Sequence, residues 1–193
     1  NIILLTYLLV ISSLYSYEVY LIYKPLTIWE EYERLTDKKI TIVPHVRKKY
    51  FSRNNKEIYV LGGVSNSKQV LNNENGYYPL VELDEFGWNN SKNNYNNVEI
   101  VLIGGSFAEG FAVDQEQNIA SLLRKQNLNS VSFGKAGLSP FHMLAVFKEY
   151  ITYFKPKYVL WFYSNYDIYE MQESLNDQYL LQYLQDEEFF QNL

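Results

Sequence analysis

The chain has 193 residues, a net charge of −5, 47% hydrophobic and 17% aromatic residues, and no cysteine. That length suits one domain of ordinary size plus a further segment, and an acidic balance without a basic stripe argues against nucleic acid as partner. Lack of cysteine fits an extracytoplasmic domain without disulfides and a cytosolic one equally, and two isolated histidines, His45 and His142, do not make a metal-ligand cluster.

Residues 1–17 carry no charge, and the apolar character continues past Glu18 through Val19, Leu21, Ile22 and Tyr23 to Lys24-Pro25. About 20 such residues cross a bilayer, and aromatic residues near the end of the run suit the interface, so residues 1–23 are expected to form a transmembrane or signal-anchor helix. The apolar core of a signal peptide and a buried helix are the alternatives, but the run is longer than a usual signal core and has no Ala-x-Ala-like cleavage site. Residues 24–97 form a polar lead-in. Trp29, Tyr32 and Leu35 make one short helical face, while residues 40–43 and 58–61 have strand character. Gly62-Gly63 is expected to be a turn, and the aromatic, turn-rich stretches Asn72 to Pro79 and Asp84 to Asn90 are expected to pack under the sheet that follows.

Residues 100–103 are short, β-branched and bounded by Gly104, as suits a strand buried on both faces of a parallel sheet. The chain then reads Gly104-Gly105-Ser106-Phe107-Ala108-Glu109-Gly110, which places a hydroxyl at the carboxyl end of that strand, where open α/β sheets bind ligands. A phosphate loop is ruled against because Phe111 and Ala112 stand where Lys and Ser or Thr belong, and a nucleophile elbow because Ala108 replaces its second glycine. Asp114 is expected to cap a helix carrying Ile119, Leu122 and Leu123 on its apolar face, with Gln117 completing the capping pattern. A second helix is expected from Pro140, with Met143, Leu144, Phe147, Tyr150 and Ile151 at helical spacing up to Lys155-Pro156, and a last one over residues 170–190. Alternation of strand and helix implies a parallel sheet with helices on its faces.

Three ordered blocks in residues 98–193 resemble the SGNH (GDSL-type) hydrolases. The Gly104 to Gly110 segment is similar to the first block, with Gly105 in place of aspartate. Asn129-Ser-Val-Ser-Phe-Gly134-Lys-Ala-Gly137 is similar to the second, and Tyr158-Val-Leu-Trp-Phe-Tyr163-Ser-Asn-Tyr-Asp167 to the third. The resemblance implies a three-layer α/β/α, flavodoxin-like parallel sheet of SGNH-hydrolase type, partial here and preceded by the N-terminal hydrophobic helix. It implies Ser106 as nucleophile, the Gly137 N–H as an oxyanion donor, and a side-chain donor from the third block. An ungapped alignment puts Tyr166 at the family's asparagine and Asn165 one position earlier, so either Asn165 or Tyr166 is that donor or the oxyanion hole is incomplete. Losing such a donor costs about 100- to 1000-fold in rate.

The family's base is a histidine in an Asp-x-x-His block, and no such block occurs in the chain. His142, early in the helix after the second block, is expected to be a polar or partly buried helix residue, and His45 a solvated loop residue. The chain is therefore expected to hold the front half of the catalytic domain and to be inactive alone. The resemblance implies a serine esterase or acyl transferase acting on an acylated carbohydrate or lipid, without metal or organic cofactor. The protein is expected to be held at the membrane through residues 1–23, its catalytic domain extracytoplasmic. A catalytically silent SGNH-like fold that binds glycan or protein is the alternative, and an anion-binding flavodoxin-like module a third.

Overall fold

The computed structural model describes residues 2–23, 28–36, 50–53 and 56–193. His45 and the strand expected over residues 40–43 lie outside them. The chain divides into two units, Asn1–Lys38 and Lys39–Leu193.

The first unit holds α1 (Ile2–Tyr23) and α2 (Ile28–Thr36). Over Ile2–Tyr20 α1 is long and apolar enough to cross a membrane, and the side chains of that span are exposed except for a half-buried Val19. A membrane anchor and a signal sequence share this character. Glu30 and Glu31 lie in the first turn of α2, where their charges suit the positive end of a helix.

The second unit is mixed α/β. Two antiparallel hairpins come first, β1 (Tyr50–Arg53) with β2 (Lys56–Tyr59) and β3 (Lys68–Val70) with β4 (Leu80–Glu82). A parallel sheet of order β6-β5-β7 follows, made of β5 (Ile100–Gly104), β6 (Ser130–Gly134) and β7 (Tyr158–Trp161). Its register aligns Ile100 with Ser130 and Tyr158, and Ile103 with Phe133 and Trp161. Alternate residues of β5 serve opposite faces, as the pleat requires. Val101 and Ile103 join Phe133, Met143 and Val146 on one side, whereas Ile100 and Leu102 meet Ala108 and Ala120 on the other.

Helices follow each strand: α3 (Ser106–Glu109) and α4 (Ile119–Lys125) after β5, α5 (Pro140–Val146) and α6 (Thr152–Phe154) after β6, α7 (Asp167–Ser174) and α8 (Gln178–Gln185) after β7. Two expectations need correction, and the helix expected from Pro140 forms with one irregularity. Asp114 does not cap α4: it precedes a 3₁₀ turn, Gln115–Gln117, and accepts from the Tyr77 hydroxyl at 3.1 Å, while Asn118 Oδ1 accepts the Ser121 N–H at 2.8 Å as the true cap. The helix from Pro140 passes through a π turn at Phe147–Ile151, which lets Tyr150 and Ile151 stay buried. Residues 170–190 form no single helix: the chain breaks after Ser174, and the Asp177 carboxylate caps α8 through the N–H groups of Tyr179 and Leu180.

Residues 84–95, a part of the lead-in, pack into the core of the second unit. Trp88 packs edge-on against Phe133 and Tyr150, whose rings stack with centroids 5.1 Å apart. The same segment closes the outer edge of β6. Asn90 Oδ1 accepts the Ser132 N–H at 2.7 Å, and its Nδ2 donates to the Ser132 carbonyl at 2.9 Å, as a neighbouring strand would. Asp84, fully buried, accepts from Asn90 at 2.9 Å, from the Tyr95 hydroxyl at 2.5 Å and from the N–H groups of Phe86 and Trp88. Gln191 repeats the device on β2, accepting the Tyr59 N–H at 2.7 Å and donating to the Tyr59 carbonyl at 3.2 Å.

Removing the Asn90 amide strands both Ser132 backbone groups in the interior, each at about 1–3 kcal/mol, and takes one of two donors from an Asp84 oxygen that keeps the Tyr95 hydroxyl. Asn90→Ala is expected to lower unfolding stability by about 3 kcal/mol or more. Asn90→Asp, which sets a second carboxylate against Asp84, is expected to do no better; urea denaturation checks both.

Candidate functional site

The three parallel strands end side by side, and a cleft of about 340 Å³ opens beyond their carboxyl ends. Gly105, Ser106 and Phe107 line it after β5, Gly137 after β6, and Phe162, Tyr163, Ser164, Tyr166, Asp167 and Glu170 after β7. The Ser106 side chain is half-buried and makes no hydrogen bond among the described residues. Tyr166 is 79% exposed on the rim, and Asn165, also exposed, is not among the lining residues.

Local geometry explains these placements. Helix α3 lies so close to β6 that a Cβ on Gly134 would come within 2.4 Å of the Ala108 methyl carbon and 2.6 Å of Glu109 N. This contact draws the Ser106 turn against the strand that leads to Gly137. Residues 135–138 then turn with the Leu138 N–H on the Lys135 carbonyl at 3.2 Å and Gly137 at φ +81°, the left-handed position that glycine takes without steric cost. On the third side the Asp167 carboxylate accepts the Ser164 N–H at 2.5 Å while the Asp167 N–H returns to the Ser164 carbonyl at 3.1 Å, fixing the loop that carries Tyr166.

His142 plays no part in the cleft. Its Nδ1 accepts the Ser139 N–H at 3.3 Å and lies 2.8 Å from Ser139 Oγ, and its Nε2 lies 2.6 Å from the Tyr59 hydroxyl. These contacts make it a buried helix-capping residue, where the sequence suggested only a polar or partly buried helix position. A larger cavity of about 460 Å³, between Phe86, Tyr150, Phe154 and Phe190, is lined by Thr152, whose hydroxyl donates to the Lys148 carbonyl at 2.7 Å. The Lys148 ammonium beside it already donates to the carbonyls of Tyr183 and Asp186.

Sequence reasoning missed Glu109 and Lys135. Glu109, 2% exposed, is not among the lining residues and accepts the Ala136 N–H on Oε2 at 2.7 Å. Burial pushes its carboxyl above the ordinary range, against the opposing pull of the Lys135 charge. Burial in turn lowers the Lys135 ammonium, and Glu109 opposes that shift. A charged residue three places after the serine, between Ala108 and Gly110, was the available signal.

No protein-family model matches the chain, and no curated protein and no solved structure matches it.

Two predictions concern this geometry. Gly105 is not required by space, since an added Cβ would meet nothing within 4 Å, so an aspartate fits there. Gly105→Asp is expected to fold within about 0.5 kcal/mol of the parent, as surface changes usually do. Gly134→Ala, which drives a methyl into α3, is expected to lose about 1–3 kcal/mol, and thermal unfolding of the two variants tests the contrast.

The second concerns pH. A carboxyl whose folded pKa is raised binds its proton more tightly in the native state, so its contribution to stability is present at low pH and lost as pH rises through the folded value. Glu109 and Asp84 both have this sign. Denaturation from pH about 4 to about 8 is expected to show stability falling more steeply in the parent than in Glu109→Gln, which lacks one of the two titrations.

Proposed function

We propose that the second unit carries the centre of an SGNH-type serine hydrolase or acyl transferase, a flavodoxin-like three-layer fold held at the membrane by α1. One observation carries this reading. The Ser106 hydroxyl, without a partner among the described residues, shares a cleft with Gly137 and Tyr166 at the carboxyl ends of three parallel strands. Ordered agreement with three family blocks supports it.

In this mechanism Ser106 Oγ attacks the carbonyl carbon of an ester while its proton passes to a base. The charge growing on the carbonyl oxygen is met by the N–H groups of Ser106 and Gly137 and by the Tyr166 hydroxyl or the Asn165 amide. Collapse expels the alcohol, which takes the proton back from the base and leaves an acyl group on Ser106; water or an acceptor hydroxyl then removes it. The base comes from outside the described residues, because His142 is committed to Ser139 and Tyr59. The substrate is an acylated carbohydrate or lipid presented at the extracytoplasmic membrane face, with exposed Phe107, Tyr163 and Tyr166 forming an apolar rim for it.

A catalytically silent, glycan- or protein-binding domain is the second reading, favoured by a cleft whose only carboxylates, Asp167 and Glu170, come with no histidine among the lining residues. A fluorophosphonate probe applied to the full-length protein in membranes separates the two. The enzyme reading expects covalent labelling that Ser106→Ala abolishes, with ester turnover falling by at least about 1000-fold. Labelling unaffected by that substitution, or none at all, overturns it, and glycan binding without labelling identifies the silent domain.

A further inference from the structure

We propose that Glu109 is a positioning residue for the Ser106 centre, its carboxylate holding the 135–138 turn so that the Gly137 N–H meets the acyl oxygen. The inference rests on the serine reading above.

Glu109 is placed to join the two oxyanion donors. Its backbone N–H closes α3 on the Gly105 carbonyl at 3.1 Å, in the same turn that carries Ser106. Its side chain crosses to the second loop and takes the Ala136 N–H at 2.7 Å. The Ala136 and Gly137 amides belong to consecutive peptide groups, so fixing the first restricts rotation of the second. The remaining ties on this turn are the Lys135 N–H on the Gly104 carbonyl at 3.1 Å and the Leu138 N–H on the Lys135 carbonyl at 3.2 Å, one at each end of it. Glu109 supplies the hold in the middle.

Packing alone does not call for a carboxylate here. Burying one costs several kcal/mol, and an apolar residue of similar volume fills such a site as well or better. What a leucine cannot do is accept the Ala136 N–H. Lys135, 9% exposed and electrostatically coupled to Glu109, offsets part of the cost of keeping that acceptor buried. Glu109 lies outside the cleft lining and therefore acts on the reaction only through the turn.

Steady-state hydrolysis of p-nitrophenyl acetate by the full-length protein tests this, together with amide exchange at Ala136 and Gly137. Glu109→Ala leaves Lys135 buried without its counter-charge and is a poor probe. The double variant Glu109→Leu with Lys135→Met removes the acceptor and the charges together while keeping the packing. It is expected to fold, to lower kcat by about 10- to 100-fold with KM nearly unchanged, and to exchange the Ala136 amide faster. Glu109→Gln, which keeps an accepting oxygen, is expected to retain kcat within about 3-fold and to keep that amide protected. A double variant with parental kcat, or with Ala136 as protected as before, overturns the proposal while leaving the serine reading standing. A parent protein without Ser106-dependent turnover overturns both.

Discussion

Parallel pairing along both edges of β5 is the constraint on which the second unit depends. With β6 on one side and β7 on the other, β5 has every residue buried, and its carboxyl end meets the ends of both neighbours in register. Three loops then leave the sheet from one edge. Ser106, Gly137 and Tyr166 reach a common cleft because each lies within a few residues of a strand end, although about 60 residues of chain separate the first from the last.

The two outer strands are treated differently. On β6 the lead-in supplies an amide in place of a strand: Asn90 pairs both backbone groups of Ser132, and the buried Asp84 carboxylate orients Asn90. That arrangement places several polar groups in the interior, and it is stable only because each finds a partner. β7 has no such cover among the described residues. Its Tyr158, Val159, Leu160 and Trp161 are 37–54% exposed although their composition is that of a strand buried on both faces. The third loop of the cleft thus rises from the least enclosed strand of the sheet, and its geometry relies on the local Asp167–Ser164 pair.

Much of the framework was legible from local pattern. The apolar run at residues 2–20, the β-branched run before Gly104, and Pro140 ahead of a helical repeat each carry their meaning within a few residues. The misplaced features depend on partners far along the chain. Asp114 has the form of a cap, yet Tyr77 takes its carboxylate and Asn118 does the capping. The break after Ser174 lies within a polar stretch whose helical pattern continues, and it shows only in the Asp177 cap. Polar short-range motifs are ambiguous because one side chain satisfies a neighbouring amide or a distant one at nearly equal energy.

By itself, then, the sequence determined the apolar N-terminal helix, the alternation of strand and helix over residues 98–193, and the presence of a serine at a strand's end, because hydrophobic period and glycine placement are local quantities. Only the tertiary structure decided that Asn90 closes the edge of β6, that His142 is a buried cap, and that Glu109 reaches from the serine turn to Ala136. Those outcomes turn on which buried polar groups meet across long chain separations, and no short-range pattern encodes that pairing.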